Sequence, residues 1–191
     1  MKKLHKWTLL LVSVIFLAAC GNKGLENTVN YTVSDFTAVN QDGKEVTLKD
    51  FEGKVWVADF VFTNCKTVCP PMTANMAKLQ SMINEEDLDV QLVSFSVDPE
   101  IDKPEILKEY GELFEADFSK WSFLTGYDQE FIAKFATKSF HTLAEKVKSG
   151  DDVLHGVKFY LVDQNGKVLK EYSGNVDTPY EEIISDIKTI L

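Results

Sequence analysis

The chain reads as an α/β fold with a mixed central sheet, and three observations point there. β-forming runs alternate with helical stripes through the middle of the sequence, a hairpin signal stands near each end, and one run is a nearly continuous β-forming stretch suited to burial on both faces. In order, residues 34–39 and 44–48 flank Gln41-Asp42-Gly43, which predicts an N-terminal β-hairpin. Lys54-Val55-Trp56-Val57-Ala58-Asp59-Phe60-Val61-Phe62 is a nearly continuous β-forming run and predicts a central strand covered on both faces. Residues 70–84 repeat Met72, Met76, Leu79 and Ile83 at helical spacing. That spacing assigns both methionines to core packing rather than to a thioether metal site, and Trp56, Trp121 and the phenylalanines read as core too. Residues 90–97 form a second strand ending at Asp98-Pro99. Helices are expected over 104–116 and 129–140, with a short strand at 121–124 between them. Residues 155–162 and 167–172 flank Asp163-Gln164-Asn165-Gly166, an additional C-terminal hairpin. Thr178-Pro179 opens a last helix through Ile190, with Glu181 as the capping-box partner.

This order of elements resembles a thioredoxin-like architecture, a mixed central sheet flanked by helices. Ahead of it, residues 1–6 carry Lys2, Lys3 and Lys6 with no acid, and residues 7–19 are apolar. A run of about 13 residues is short of the roughly 20 that span a bilayer as a helix. Leu17-Ala18-Ala19-Cys20-Gly21 closes it with small residues, the layout of a secretory signal. Small residues leading to a cysteine resemble the bacterial lipoprotein lipobox, which implies cleavage before Cys20 and a lipid on its thiol. Length and residue order oppose the alternative, an uncleaved anchor. The expected organisation is a signal peptide over 1–19, a lipidated N-terminus and tether over 20–32, and the thioredoxin-like domain over 33–191. The expected location is the outer face of the cytoplasmic membrane.

The chain's formal net charge is −10, and removing residues 1–19 takes away three lysines and no acid, leaving about −13. Every basic residue is lysine. A strongly acidic protein without guanidinium forks is a poor partner for nucleic acid or phosphate, and the acidity reads as solubility at a crowded anionic surface.

Chemistry concentrates at Thr63-Asn64-Cys65-Lys66-Thr67-Val68-Cys69-Pro70-Pro71-Met72, a strand-to-helix turn. Two thiols there can exchange disulfides, bind a soft metal or attack a peroxide. A helix starting at Cys69 aims its N–H groups at the thiols, so both thiol pKa values are expected to fall. A purely structural disulfide would close only a small loop and stabilise little. Two histidines follow the apolar segment. His155 precedes a strong strand at a place where such a fold brings a loop near the cysteine turn; His141 ends a helix, where its charge favours the negative end of the dipole. Residues 141–154 are expected to form a mobile loop that lets His155 approach or leave. Asp59 lies six residues before Cys65, the offset of the buried proton-handling aspartate of thioredoxins, and could accept a proton from the cysteines. Asp98, at a strand end, reads equally as an acid that orients a ligand or moves a proton and as an Asp-Pro turn former.

Three motifs in order are specific. Thr63-x-Cys65-x3-Cys69-Pro70-x-Met72, then Ser96-Val97-Asp98-Pro99-Glu100-x-Asp102, then His155 ahead of Phe159-Tyr160-Leu161-Val162-Asp163, are similar to the SCO/SenC family over residues 33–191. The resemblance implies a membrane-tethered copper protein of thioredoxin-like fold that assembles the dinuclear CuA centre of cytochrome c oxidase, with Cys65, Cys69 and His155 as copper ligands. Family members often have proline after the first cysteine, where this chain has Lys66; the ligands are unaffected. Two thiolates and an imidazole suit copper; zinc accepts the same donors. A fourth position would be open or filled by water or an oxygen donor. The alternative is a thiol-disulfide oxidoreductase reducing the CuA-site cysteines of the oxidase subunit. Against it, generic oxidoreductases of this fold use a two-residue spacer and a cis-proline, and no proline lies between Pro104 and Pro179. A peroxiredoxin-like peroxidase would use an arginine near its peroxidatic cysteine, and this chain has none. The function expected is that of a metallochaperone whose thiols, Cys65 and Cys69, also do redox chemistry with a thiol reductant protein as a further partner.

Overall fold

The computed structural model describes residues 25–65, 68–146 and 153–191. The signal segment and Cys20 lie outside the described residues. The strands are β1 (Tyr31–Thr32), β2 (Thr37–Asn40), β3 (Glu45–Thr47), β4 (Val55–Val61), β5 (Val90–Ser96), β6 (Trp121–Thr125), β7 (Ala144–Lys146), β8 (Val153–His155), β9 (Lys158–Val162) and β10 (Lys167–Ser173). The α-helices are α1 (Cys69–Glu85), α2 (Pro104–Glu112), α3 (Gln129–Phe140) and α4 (Tyr180–Ile190). Eight strands form one sheet in the order β1-β10-β9-β4-β5-β6-β2-β3, and β7 and β8 pair separately. β4, β5 and β6 run parallel, while β9 pairs antiparallel with β4.

Strand β4 is central, and all seven of its residues are buried. Successive side chains point to opposite faces. Trp56, Ala58 and Phe60 join Phe95, Leu124, Tyr160 and Val162 in one core, closed by Ile132, Phe135, Ala136 and Phe140 of α3. Val55, Val57 and Val61 join the other, closed by Met72, Met76, Leu79 and Ile83 of α1, Leu107 of α2, and Ile183, Ile184 and Ile187 of α4. Sequence periodicity therefore assigned Met72 and Met76 to their observed place.

Local chemistry sets the turns. Asn40 Oδ1 accepts from the backbone N–H of Asp42 and of Lys44, and Gly43 takes φ +73°. Asp163 Oδ1 does the same for Asn165 and Lys167. Asp128 caps α3 by accepting from the Phe131 N–H at 2.7 Å.

Three expectations are corrected. Helix α2 stops at Glu112 instead of running to 116, because Glu115 enters the left-handed region (φ 56°) and the Ala116 N–H turns back to Gly111 O. The turn is fixed from outside by Gln80, which accepts from the Asp117 N–H and donates to Asp117 O. The Thr178–Glu181 capping box does not form: Pro179 is the N-cap, no side chain caps the helix, and Thr178 Oγ1 accepts from Asn75 Nδ2 instead. Residues before 33 also contact the sheet: β1 pairs with β10, and the Val29 N–H donates to Leu169 O. Finally, His155 ends β8 rather than opening β9. Its hairpin partner is β7, so residues 144–146 and 153–155 are paired strands where a loop was expected; residues 147–152 lie outside the described residues. Among the described residues no helix is long and apolar enough to cross a membrane.

Phe60 tests the first core. It is fully buried and packs its ring against Phe95, Phe140 and Tyr160 at centroid distances of 5.6, 5.3 and 6.0 Å. Phe60→Ala should destabilise the protein by about 3–5 kcal/mol in chemical denaturation. Leu113→Ala, at a side chain 79% exposed, should stay within about 0.5 kcal/mol.

Candidate metal centre

Strand β4 delivers the chain to the sheet's carboxyl edge at Phe62, and the Cys65 N–H donates to Phe62 O at 3.2 Å. Pro70 and Pro71 occupy the first turn of α1, where their missing N–H groups cost nothing, so the helix can start abruptly at Cys69. The Cys69 N–H donates to Cys65 Sγ at 3.3 Å. Cys65 and Cys69 are both buried and no disulfide joins them.

The third member arrives from the β7–β8 hairpin. His155 Nε2 lies 3.2 Å from Cys69 Sγ, and Nδ1–H donates to Gly156 O at 2.9 Å. That backbone bond places the ring proton on Nδ1 and leaves the Nε2 lone pair facing the sulfur, the tautomer a metal requires. Phe62 meets the imidazole edge-on at 5.6 Å. Gly156 is needed beside it, because a Cβ there would come within 2.0 Å of Thr142 Oγ1. The two sulfurs and the imidazole nitrogen all lie within 4.8 Å of one another. Donors bound to one ion at about 2.0–2.3 Å sit roughly 3.5 Å apart, so the trio is close to a ligating arrangement.

Burial decides the electrostatics. The Cys69 thiol pKa is pushed well above its ordinary value, chiefly by burial and then by the Cys65 sulfur beside it. This corrects the expected fall for Cys69. The first N–H of α1 points at Cys65 Sγ, and the helix-end field does not offset the loss of water around Cys69. Burial lowers the pKa of His155, which favours the neutral imidazole. The trio at neutral pH thus has a protonated Cys69 and an unprotonated nitrogen, and a cation would replace the proton.

Asp59 sits mid-β4, paired with Ser94 of β5, and on the face of Val57 and Val61. It is fully buried, and neither carboxylate oxygen makes a well-formed hydrogen bond among the described residues. Burial raises its pKa to about 7, with the Ser94 hydroxyl pulling weakly the other way. Its negative form also helps raise Cys69. Asp98 is nine-tenths hidden and more, and it forms an ion pair with Lys146 Nζ at 2.9 Å, while its backbone carbonyl accepts from the Ile101 and Asp102 N–H groups. It is a turn residue and a charged anchor, outside the cysteine–histidine trio. His141 also stays outside the trio. It closes α3 in the left-handed region (φ 52°) and stacks on Tyr31 at 3.7 Å. A cleft of about 560 Å³ between Thr137, His141, Leu143, Leu154 and Gly156 opens onto His155.

Sequence reasoning quoted Asp102 without giving it a role. The residue is fully buried and its carboxylate accepts from Thr63 Oγ1 (2.6 Å), from the Thr63 N–H (3.3 Å) and from Ser96 Oγ (2.6 Å). It ties the start of the cysteine turn to the end of β5. Burial raises its pKa, and these donors partly restore the charged form. Two acids four apart directly after a strand were the available signal. Lys146 was missed because nothing local marks its partner.

A thioredoxin-like α/β domain with a Cys/Cys/His cluster at its strand-to-helix turn is the class that fold and site define. The SCO1/SenC family model matches residues 26–191, and the chain belongs to that family. A SCO1/SenC family lipoprotein from Bacillus anthracis str. Ames is 57% identical, with TM-score 0.85, over 87% of this chain and 99% of that one. BsSco, described as a Sco-family cytochrome c oxidase assembly protein with a disulfide switch, is 50% identical, with TM-score 0.82, over 88% of this chain and 98% of its own. The copper-bound ScoI of Bradyrhizobium japonicum is 32% identical, with TM-score 0.68, over 84% of this chain and 99% of its own.

The buried carboxylate of Asp59 yields a sign that can be measured. Its folded pKa of about 7 exceeds the ordinary 3.8, so the folded state holds a proton that the unfolded state releases between those values. Its contribution is intact below about pH 4 and is lost as pH rises through 7. Asp59→Asn should therefore be near neutral at pH 4 and stabilising at pH 8, by on the order of 3–4 kcal/mol as an upper bound. Denaturant unfolding of the reduced, metal-free protein at both pH values reads this out. An Asn variant no more stable than wild type at pH 8 contradicts the reading.

Proposed function

We propose that the protein is a copper-binding assembly factor for cytochrome c oxidase, held at the membrane and acting on the CuA centre, with Cys65, Cys69 and His155 as the copper ligands. The observation that carries this reading is the trio itself: two sulfurs and a nitrogen from distant parts of the chain, mutually within 4.8 Å, the nitrogen's lone pair aimed at a sulfur. Soft thiolates with an imidazole form a donor set for which copper heads the divalent affinity series. Zinc shares the donors but favours a closed four-ligand shell in structural sites; this trio leaves room for a water, an oxygen donor or an incoming ligand. Copper-bound and oxidase-assembly relatives support the same reading, and the lipoprotein relative supports a lipid on Cys20 that places the domain on the outer face of the membrane.

Bound copper would supply a redox-active Lewis acid at the two sulfurs. The chain's own residues do the rest. Cys65 and Cys69 give up their protons to bind; Gly156 O holds the His155 tautomer; Asp102 fixes the turn through Thr63; and on this reading Asp59 would take up or return a proton as the thiols change state. A second reading keeps a specific observation of its own. Cys65 and Cys69 face each other within one turn, and BsSco carries a disulfide switch. Oxidation of the pair to a disulfide removes two electrons and two protons, which a thiol reductant protein must restore before metal can bind. On that reading the pair would itself reduce the cysteines of the oxidase subunit.

Copper titration of the reduced protein against Cys65→Ser, Cys69→Ser and His155→Ala separates the two. Each substitution should weaken copper by at least about 100-fold, since losing a ligand costs no less than losing its support. His155→Ala binding copper like wild type while exchanging thiols rapidly would favour the oxidoreductase. Copper affinity should also rise from pH 6 to 8, by about one log unit per pH unit for each thiol proton displaced. Potentiometric proton release on copper addition checks the count. In cells lacking the protein, CuA assembly should fail and recover only partly with excess copper.

A further inference from the structure

The copper trio has two halves that are far apart in sequence, and one short loop touches both. Between β5 and α2, Asp102 holds the cysteine turn through Thr63. Earlier in the same loop, Asp98 and Glu100, four and two residues before Asp102, hold the hairpin that carries His155: Lys146 Nζ lies 2.9 Å from Asp98 Oδ1 and 2.6 Å from Glu100 Oε2. Lys146 is the last residue of β7 and pairs with Val153, two residues before His155; at the hairpin's other end Ala144 pairs with His155 itself.

The burial is asymmetric. Asp98's side chain is only 3% exposed, Lys146's is 34% and Glu100's is 69%. An ion pair between exposed groups contributes little. A carboxylate enclosed by the fold is different, because removing its cation leaves a largely buried charge unpaired. The buried ends Ala144 and Val153 give the hairpin an apolar footing, but apolar contact is non-directional and leaves the hairpin free to slide. The two carboxylates at Lys146 supply the fixed point.

We propose that Lys146 is a positioning residue for His155: by bridging Asp98 and Glu100 it fixes the β7–β8 hairpin against the loop that also holds Cys65 and Cys69, so that the imidazole is presented at the sulfurs. The proposal rests on the copper reading above. Its first readout needs no metal.

The full chain in detergent, reduced, is compared as wild type, Lys146→Gln, Lys146→Arg and Asp98→Asn. Amide hydrogen exchange of residues 144–146 and 153–155 should speed up about tenfold or more in Lys146→Gln and Asp98→Asn, with the exchange of β4 and β5 unchanged. After loading with copper(II) sulfate, release to a chelator should be at least tenfold faster in both, and the nitrogen signature in the copper(II) resonance spectrum should weaken toward that of His155→Ala. Lys146→Arg keeps the charge and should restore both. Wild-type exchange and release in Lys146→Gln overturns the proposal. Should that variant fail to fold, Asp98→Asn decides, because it removes the inner partner without leaving a buried unpaired charge, and wild-type behaviour there overturns the proposal equally. If wild type binds no copper, the copper reading fails, and the exchange data still decide whether Lys146 fixes the hairpin.

Discussion

The carboxylate of Asp102 is where the sheet and the site are joined. It is fully enclosed, yet it accepts from Thr63 at the end of β4 and from Ser96 at the end of β5, and its backbone carbonyl accepts from Thr125 Oγ1 at the end of β6. Three parallel strands therefore end at one residue. Such a buried acid is stable only because hydroxyl and backbone donors surround it. The cysteine turn begins immediately after Thr63, so the position of Cys65 is inherited from the strand ends rather than from the turn's own composition. Pro70 and Pro71 then fix where α1 begins and with it Cys69.

That rigidity places the thiols where water is scarce, and scarcity reverses the simple expectation for a helix N-terminus. A dipole end contributes a partial charge, whereas removal from water penalises a full one. For Cys69 the second effect wins. In the metal-free site the Cys69 thiol is therefore harder to ionise than a solvated one. Asp59 sharpens this. The ionised Asp59 carboxylate raises the cost of ionising Cys69 a little further.

Much of this was legible in the sequence. The both-faces apolar run of β4, the helical stripe of Met72 to Ile83 and the Asp163 to Gly166 turn are local patterns, and each element formed where its pattern lay. The cysteine spacing and His155 were visible as residue types, and their convergence was expected from the fold and the family resemblance; residue pattern alone could not give it, because it depends on how a hairpin packs 86 positions away in sequence. The β7–β8 hairpin itself escaped detection because its strands are three residues long and carry too few side chains to show a period of two. The thiol pKa of Cys69 went the other way because burial is a tertiary property, and a helix-start argument sees only the first turn.

The division of ligands between a rigid turn and a separate hairpin sets how strongly a metal can be held. Cys65 and Cys69 are fixed by strand ends and a helix start, so their geometry costs nothing further on binding. His155 is placed by a small hairpin resting on Ala144, Val153 and one ion pair cluster. Any freedom left in that hairpin must be surrendered when all three donors engage, and the observed affinity falls by that amount. On the proposed copper-delivery reading, such a term is what a metal donor requires. Donor identity alone would fix copper at an affinity set by sulfur chemistry, whereas a third donor on its own support lets the hold be adjusted by residues that never touch the metal, and lets an incoming ligand compete for the imidazole's position without dismantling the two sulfurs.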